Sequence, residues 1–320
     1  MRKKIGLISA AVMVLTASAA ASEFNPAAAH DKDSLARFAA AHVERTAAPP
    51  FSFIYGDRPS VSLLGRWRVS SKNETIGSKT LKTVVYSDPM TKLRVTVVYT
   101  LTADFPAVEW VVRFKNEGRA DTPILRDVLI SSLLFEDRPE GPATLHHALG
   151  SDAARTDFAP IADVLSQGSE VAFGPKGGRP SDTALPFFNI AGPGKGIMVA
   201  VGWTGRWRAV VKKPADRAVS LEVGMEKTHF RLHPGEEVRG PSFALLFWQG
   251  SDRFDGHNLF RRFVLAHHSP RPDGQLVVPP ISHGVGFGGP APCNEYTCAT
   301  EIRVLSMIER LAQFGLDPDA

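Results

Sequence analysis

Alternating hydrophobic and polar residues dominate the middle of the chain. Between Leu93 and Leu101 every second residue is large and apolar, and the same period recurs from Val108 to Asn116. A period of two is typical of an antiparallel strand with one buried face. The segment Ala103 to Ala107 supplies the turn between these two strands, and Ser87-Asp-Pro89 ends the preceding one. We therefore predict consecutive antiparallel strands in this region.

Similar apolar runs follow and are separated by turn residues such as His233-Pro-Gly235. Strands are predicted over residues 124–135, 196–203, 207–212, 219–223, 229–232 and 243–248. No helical spacing interrupts them. Many antiparallel strands without crossover helices indicate a mainly β protein, so we predict a large antiparallel β-sandwich (a supersandwich) over residues 51–275.

Helical spacing returns near residue 252. A helix is predicted from Asp252, its N-cap, to His268, with one apolar face formed by Phe254, Leu259, Phe260, Phe263 and Val264. The proline-rich segment Ser269 to Gly274 that follows is predicted to be a linker.

The remaining residues have the pattern of one β/α unit. A strand is predicted from Ile281 to Gly289 and a helix from Thr297 to Phe314, and Gly315 is its stop signal. The inward positions of that helix are Ile302, Leu305, Ile308 and Leu311. A single unit cannot cover its strand on both faces. We therefore expect residues 276–320 to be the first β/α unit of a truncated (β/α)8 barrel and the chain to be a fragment.

The amino terminus has the features of a secretory signal peptide over residues 1–21. Met1-Arg-Lys-Lys4 is basic, Ile5 to Thr16 is apolar, and Ala17 to Ala21 offers small residues for cleavage. The protein is therefore expected to be exported, either to the periplasm or to the medium, with no membrane anchor after cleavage. Residues 22–50 are expected to form a mobile lead-in with one helix around residues 33–43.

Composition and charge exclude several classes of protein. A chain of 320 residues with 43% hydrophobic residues is ordinary for a globular protein. The net charge of +4 includes Arg2, Lys3 and Lys4, so it falls to +4 − 3 = +1 without the leader, which argues against a nucleic-acid partner. After export, Cys293 and Cys298 could form a disulfide or remain free thiols, and two cysteines alone do not make a metal site.

Several motifs have plain structural interpretations. Gly192-Pro-Gly-Lys-Gly196 lacks the following helix of a phosphate loop and is interpreted as a hairpin turn. The pairs His146-His147 and His267-His268 are given structural or hydrogen-bonding roles, because adjacent strand residues face opposite ways. Ser151, Asp152 and His147 are not interpreted as a triad, because no Gly-x-Ser-x-Gly elbow frames the serine.

Two groups of residues could bind carbohydrate. Trp203 and Trp207, on a predicted hairpin, could stack on sugar rings, but we favour a place in the sandwich core. Phe287, near the end of the predicted barrel strand, and Asn294 and Glu295 after it would lie at the mouth of the barrel, where such barrels carry their sites, and are assigned as candidate substrate-binding residues. Helix capping is an equally good role for Asn294. No catalytic residue, cofactor or metal ligand is assigned.

Several segments together resemble one family. They are Pro50 to Gly56, Asp104 to Val112, Thr122 to Leu125, Gly150 to Asp152, Thr156 to Pro160, Leu185 to Asn189, Val201 to Trp207, Leu246 to Gly250, Gly256 to Phe263 and Ala266 to Pro270. In this order they are similar to the amino-terminal sandwich of glycoside hydrolase family 36, the microbial α-galactosidases (melibiases). The resemblance covers roughly residues 50–320.

The resemblance implies an enzyme that hydrolyses terminal α-galactosides with retention, using two aspartates on later barrel strands. It places Asn294 and Glu295 in the first barrel loop. Neither catalytic aspartate has a matching position in this chain, and Asp317 and Asp319 do not take their place. The chain is therefore expected to be inactive. Assembly into a homo-oligomer is compatible with the sequence. The alternative is a non-catalytic sandwich that binds a carbohydrate or a partner chain.

Overall fold

The structure is a computed structural model that describes residues 29–275 and 300–314. The chain divides into two compact units, with the boundary between Phe263 and Val264. The first unit contains two antiparallel sheets, and the predicted fold class, a β-sandwich, is confirmed.

The larger sheet has nine strands in the order β3-β4-β5-β6-β16-β12-β11-β8-β9, numbered along the chain. Their bounds are β3 (Arg68–Ile76), β4 (Lys79–Ser87), β5 (Leu93–Thr102), β6 (Ala107–Asn116), β8 (Ala143–Ala148), β9 (Pro160–Leu165), β11 (Phe187–Gly192), β12 (Lys195–Gly202) and β16 (Glu237–Gln249).

The smaller sheet has seven strands in the order β10-β13-β14-β7-β1-β2, and β15 also pairs with β7. Their bounds are β1 (Ser52–Tyr55), β2 (Arg58–Pro59), β7 (Leu125–Phe135), β10 (Glu170–Phe173), β13 (Trp207–Ala215), β14 (Ala218–Met225) and β15 (His229–Phe230). One short helix, α2 (Ser60–Leu64), follows β2 and was not predicted from the sequence.

The core lies between the two sheets and follows the alternation of the sequence. Val95 and Val97 of β5 are fully buried, and Val108 and Val112 of β6 are at most 1% exposed. Trp110 of β6 crosses the core, and its indole Nε1 donates a hydrogen bond of 2.7 Å to the carbonyl of Ile130 in β7. This bond joins the two sheets through a buried donor that would otherwise lack a partner.

The expected roles of the two tryptophans are largely confirmed, but the connection between them was described wrongly. Trp207 is 1% exposed and donates through Nε1 to the carbonyl of Pro180 at 2.8 Å. Trp203 is partly buried against the same core. Residues 203–206 are not a hairpin, because β12 belongs to the nine-stranded sheet and β13 to the other. The turn predicted over Gly192 to Gly196 does join the paired strands β11 and β12, with Gly192 paired to Lys195.

Residues 29–43 pack into the first unit, where we expected a mobile lead-in. Helix α1 (Lys32–Phe38) continues as a π-helix over Ala39–Val43, close to the predicted helix. Phe38 and Val43 belong to the core, and Asp31 donates its backbone N–H to the carbonyl of Phe247 in β16. An alanine-rich sequence gives little periodic signal, so these two buried anchors were not recognised.

A second apolar cluster covers the outer face of the nine-stranded sheet. It is formed by α3 (Arg253–His267), with Leu259 and Phe263 buried over Leu246 and Trp248 of β16. The predicted N-cap is confirmed, since Asp252 Oδ1 accepts the N–H of Phe254 at 2.9 Å. Phe254 and Val264, assigned to the buried face, are instead 51% and 37% exposed.

Two glycines make room for Trp248 in this cluster. A Cβ on Gly196 would lie 2.4 Å from the indole ring, and one on Gly256 in α3 would lie 2.5 Å from it. The indole Nε1 donates to Asn189 Oδ1 at 2.9 Å, and Asn189 is completely buried. Sheet and helix can therefore approach only because both positions lack a side chain.

The second unit contains α4 (Glu301–Gln313), within the helix predicted from the sequence. Ile302, Leu305 and Ile308, expected to face inward, are 81%, 52% and 43% exposed. The predicted strand over 281–289 lies outside the described residues. Among the described helices, none is long and apolar enough to span a membrane.

Replacing Gly256 by alanine should lower the free energy of unfolding by about 1–3 kcal/mol, because the new methyl group overpacks Trp248. This cost should exceed the roughly 1 kcal/mol that alanine gains over glycine in a helix. Urea unfolding of the whole chain measures the difference. Gly65→Ala is the matched control, since a Cβ at Gly65 meets nothing within 4 Å. A Gly256→Ala chain as stable as the parent would contradict the close packing of this cluster.

Candidate functional site

The candidate substrate-binding residues Phe287, Asn294 and Glu295 lie outside the described residues, as do Cys293 and Cys298. Their assignment stays a prediction. The described residues present a different candidate site, on the outer face of the seven-stranded sheet.

This site is a cavity of about 350 Å³ that crosses β13, β14 and β7. Its floor is Gly224 of β14, which pairs with Arg208 of β13 on one side and with Leu129 of β7 on the other. A Cβ at Gly224 would lie 2.4 Å from the carbonyl oxygen of Val128, so a larger residue does not fit there. Neighbouring side chains therefore surround a position that carries none, and a depression results.

The wall beside Gly224 is held in an unusual backbone conformation. Asp127 has φ of 50° and Lys227 has φ of 57°, although neither is glycine. Thr228 joins the two segments, because its Oγ1 accepts the N–H of Val128 at 2.7 Å and its carbonyl accepts the N–H of Asp127 at 3.2 Å. Left-handed backbone at non-glycine residues costs about 1–3 kcal/mol each and is concentrated at functional sites.

Charged side chains of both signs line the cavity. The acids are Asp127, Glu222 and Glu226, and the bases are Arg208 and Lys227. Each acid has a basic neighbour: Arg126 at 2.8 Å from Asp127, Lys212 at 3.7 Å from Glu222, and Arg206 at 2.5 Å from Glu226. Within the described ranges, Arg208 and Lys227 form no ion pair.

Three apolar side chains complete the lining: Leu129, Val210 and Met225. Hydrogen-bond acceptors, donors and an apolar strip thus face one space. Such a combination suits a small polar ligand that carries both hydrogen-bonding groups and carbon–hydrogen surface.

A cluster of histidines lies on the outer face of the other sheet. His146 of β8 pairs with Asn189 of β11, whose Nδ2 donates to the carbonyl of Arg253 at 3.3 Å. His257 Nε2 is buried and has no hydrogen-bond partner in the part of the chain that the structure describes. Burial first, and Arg253 second, lower the pKa values of both His146 and His257. Both imidazoles are therefore neutral near pH 7.

Neither the triad nor a metal site is present among the described residues. His147 Nε2 lies 2.8 Å from Asp163, whereas the Ser151 hydroxyl donates to Asp157 at 2.7 Å. His147 and Ser151 therefore have separate carboxylate partners. The described part of the chain also contains no group of three or more His, Cys, Asp or Glu that could hold a metal ion.

Two aspartates serve loop backbones. Burial acts to raise the pKa of Asp182, but N–H groups of Lys176, Gly177 and Thr183 outweigh it and lower the pKa. The Ser151 hydroxyl, followed by neighbouring N–H groups, lowers the pKa of Asp157. A general acid in glycoside hydrolysis needs a raised pKa, so neither carboxyl group suits that role.

Solved structures that share this architecture include α-galactosidases. The α-galactosidase from Lactobacillus brevis matches 68% of this chain and 31% of its own, with 13% sequence identity and a TM-score of 0.50. The GH36 α-galactosidase AgaA from Geobacillus stearothermophilus matches 63% of this chain and 30% of its own (17% identity, TM-score 0.46). A variant of AgaA in complex with raffinose matches 67% of this chain and 32% of its own (17% identity, TM-score 0.47).

The chain shares its fold with part of the Lactobacillus brevis enzyme. At 13% identity the likeness is one of fold. The chain spans only about 30% of the length of these α-galactosidases. No protein-family model matches the chain, and no curated protein matches its sequence.

The cavity over Gly224 was not predicted from the sequence. The predicted strand ended at Val223, one residue before the glycine that forms the floor. A glycine that directly follows an apolar run is a signal for a bulge or a close backbone approach, and the register does shift between Val223 and Gly224. β7 is distant in sequence from β13 and β14, so the residues that it contributes could not be grouped with theirs beforehand.

The Asp182→Asn chain should be less stable than the parent at pH 7, by about 1–3 kcal/mol, because charge-assisted hydrogen bonds to Lys176 and Gly177 are weakened. The lowered pKa means that this contribution is present above about pH 4 and is lost as the pH falls through the folded-state pKa. The difference between the two chains should therefore shrink towards pH 2. Urea unfolding across this range measures it, with the exposed Asp152→Asn as control. A constant difference would refute the assignment.

Proposed function

We propose that this chain supplies the β-sandwich of an exported, α-galactosidase-type retaining glycoside hydrolase, and that residues 1–320 do not hydrolyse α-galactosides by themselves. The observation that carries the proposal is the fold shared with part of the Lactobacillus brevis α-galactosidase. The segments from Pro50 onward that resemble glycoside hydrolase family 36, in the same order along the chain, support it independently.

The expected inactivity rests on the chemistry of retention. One carboxylate must act as nucleophile and a second as acid/base, about 5–5.5 Å apart across the scissile bond. The resemblance assigns both aspartates to barrel strands with no match in this sequence. Asp157 and Asp182 carry lowered pKa values and hold loop N–H groups, so they do not replace them.

Incubation of the whole chain with p-nitrophenyl α-galactoside should release no nitrophenol above the buffer blank. Cooperative urea unfolding of the same preparation serves as the control that the protein is folded. The gene should continue beyond codon 320 into a barrel that carries two strand-end aspartates. Turnover at the rate of an intact enzyme would refute the predicted inactivity, and a gene without that barrel would refute the α-galactosidase assignment.

Export follows from the basic and apolar residues at the amino terminus. The mature protein recovered from the periplasm or the medium should begin near residue 22 when its terminus is determined by mass spectrometry. Replacing Leu7 and Val12 by aspartate should retain the precursor in the cytoplasm, because the apolar segment of the signal is interrupted. A precursor with intact Met1 outside the cytoplasm would contradict cleavage.

A further inference from the structure

We propose that the cavity over Gly224 is a non-hydrolytic binding site for a neutral saccharide. This site goes beyond the proposed function, since it lies on the sandwich itself and needs no catalytic carboxylate. The sugar would bind on the outer face of the seven-stranded sheet, across β13, β14 and β7.

The shape of the cavity suits a small molecule. Its volume of about 350 Å³ falls in the range of small-molecule sites. The floor stays open because Gly224 cannot accept a side chain without meeting Val128. The wall is fixed by the hydrogen bonds that Thr228 accepts from the backbone N–H groups of Asp127 and Val128. The cavity is therefore formed before a ligand arrives, which reduces the entropy lost on binding.

The hydrogen-bonding groups of the lining match those of a sugar. Each sugar hydroxyl both donates and accepts, as any hydroxyl does. Carboxylates of Glu222 and Glu226 can accept from hydroxyls, while Arg208 and Lys227 can donate to them and have no competing acid among the described residues. Arg208 and Glu222 are both close to the floor of the cavity. Arg208 lies directly across from Gly224 on the neighbouring strand, and Glu222 lies two residues before Gly224 in β14.

The balance of charge and apolar surface favours a neutral ligand. Three acids and two bases line the cavity, and each acid also has a basic partner, Arg126, Lys212 or Arg206. Charges of both signs are thus interspersed, and neither a polyanion nor a polycation is matched by such a lining. Leu129, Val210 and Met225 form an apolar strip against which the carbon–hydrogen face of a pyranose ring can pack. A neutral saccharide uses all three kinds of surface.

The carboxylates of this cavity are not suited to hydrolysis. A retaining enzyme needs one carboxyl group that keeps its proton until the leaving group departs. In this cavity each carboxylate is already engaged by a cationic side chain within 4 Å. The site is suited to holding hydroxyl groups.

Saturation-transfer NMR with the whole chain tests the proposal, using galactose, glucose and raffinose as probes. The parent should bind at least one of them saturably. Arg208→Ala and Glu222→Gln should each weaken that binding about tenfold or more, because each removes a charge-assisted hydrogen bond. Arg113→Ala and Glu237→Gln are matched controls: this pair, 3.3 Å apart, lies on the other sheet, and binding should stay within twofold.

Three results would overturn the proposal. They are the absence of saturable binding by all three sugars, equal binding by the cavity variants and the parent, and displacement of the bound sugar by millimolar inorganic phosphate. Sugar analysis of the same samples by chromatography separates this proposal from the proposed function. Raffinose cleavage by the parent that Glu222→Gln abolishes would refute non-hydrolytic binding, whereas cleavage that survives it would refute only the expected inactivity of the chain.

Discussion

The mutual burial of two sheet faces is the constraint on which the rest of this structure depends. Each sheet presents one apolar face, and neither could remain in water without exposing valines, leucines and tryptophans that are now almost fully buried. The indole of Trp110 ties the two faces together through the carbonyl of Ile130. Once these faces meet, their outer surfaces are free to differ. One receives helix α3, and the other keeps a cavity.

The outer surfaces use glycine in two opposite ways. Gly196 and Gly256 lack side chains, so that Trp248 can fill the space between sheet and helix. Gly224 also lacks a side chain, but no aromatic residue of the described ranges lines the space above it, and charged groups from β13, β14 and the following turn surround it. The same missing Cβ therefore produces dense packing in one place and a binding cavity in the other.

Carboxyl groups in this sandwich mainly organise backbone or balance cations. Asp31 caps α1, Asp88 accepts two N–H groups and the Thr91 hydroxyl, and Asp182 holds the loop before β11. A fold of this kind can support a glycosidase without carrying its chemistry, because function resides in sites placed on folds. The chain can therefore share its fold with part of an α-galactosidase. It can do so although Asp157 and Asp182, the described carboxyl groups with shifted pKa values, do not form an acid/base pair.

Sequence alone determined the fold class and the strands with clear alternation, such as β5 and β6, because period-two alternation reports directly which face of a strand is buried. The strands β8, β9 and β10 were not predicted. The sequence also determined the cap at Asp252 and the turn within Gly192 to Gly196, which are local. Only the tertiary structure decided which strands pair. In it, residues 203–206 connect the two sheets, Phe38 and Val43 are buried, and Phe254 is exposed. Arg208, Gly224 and Leu129 lie side by side on three neighbouring strands. Pairing between distant strands depends on the whole core, and no local window of sequence contains that information.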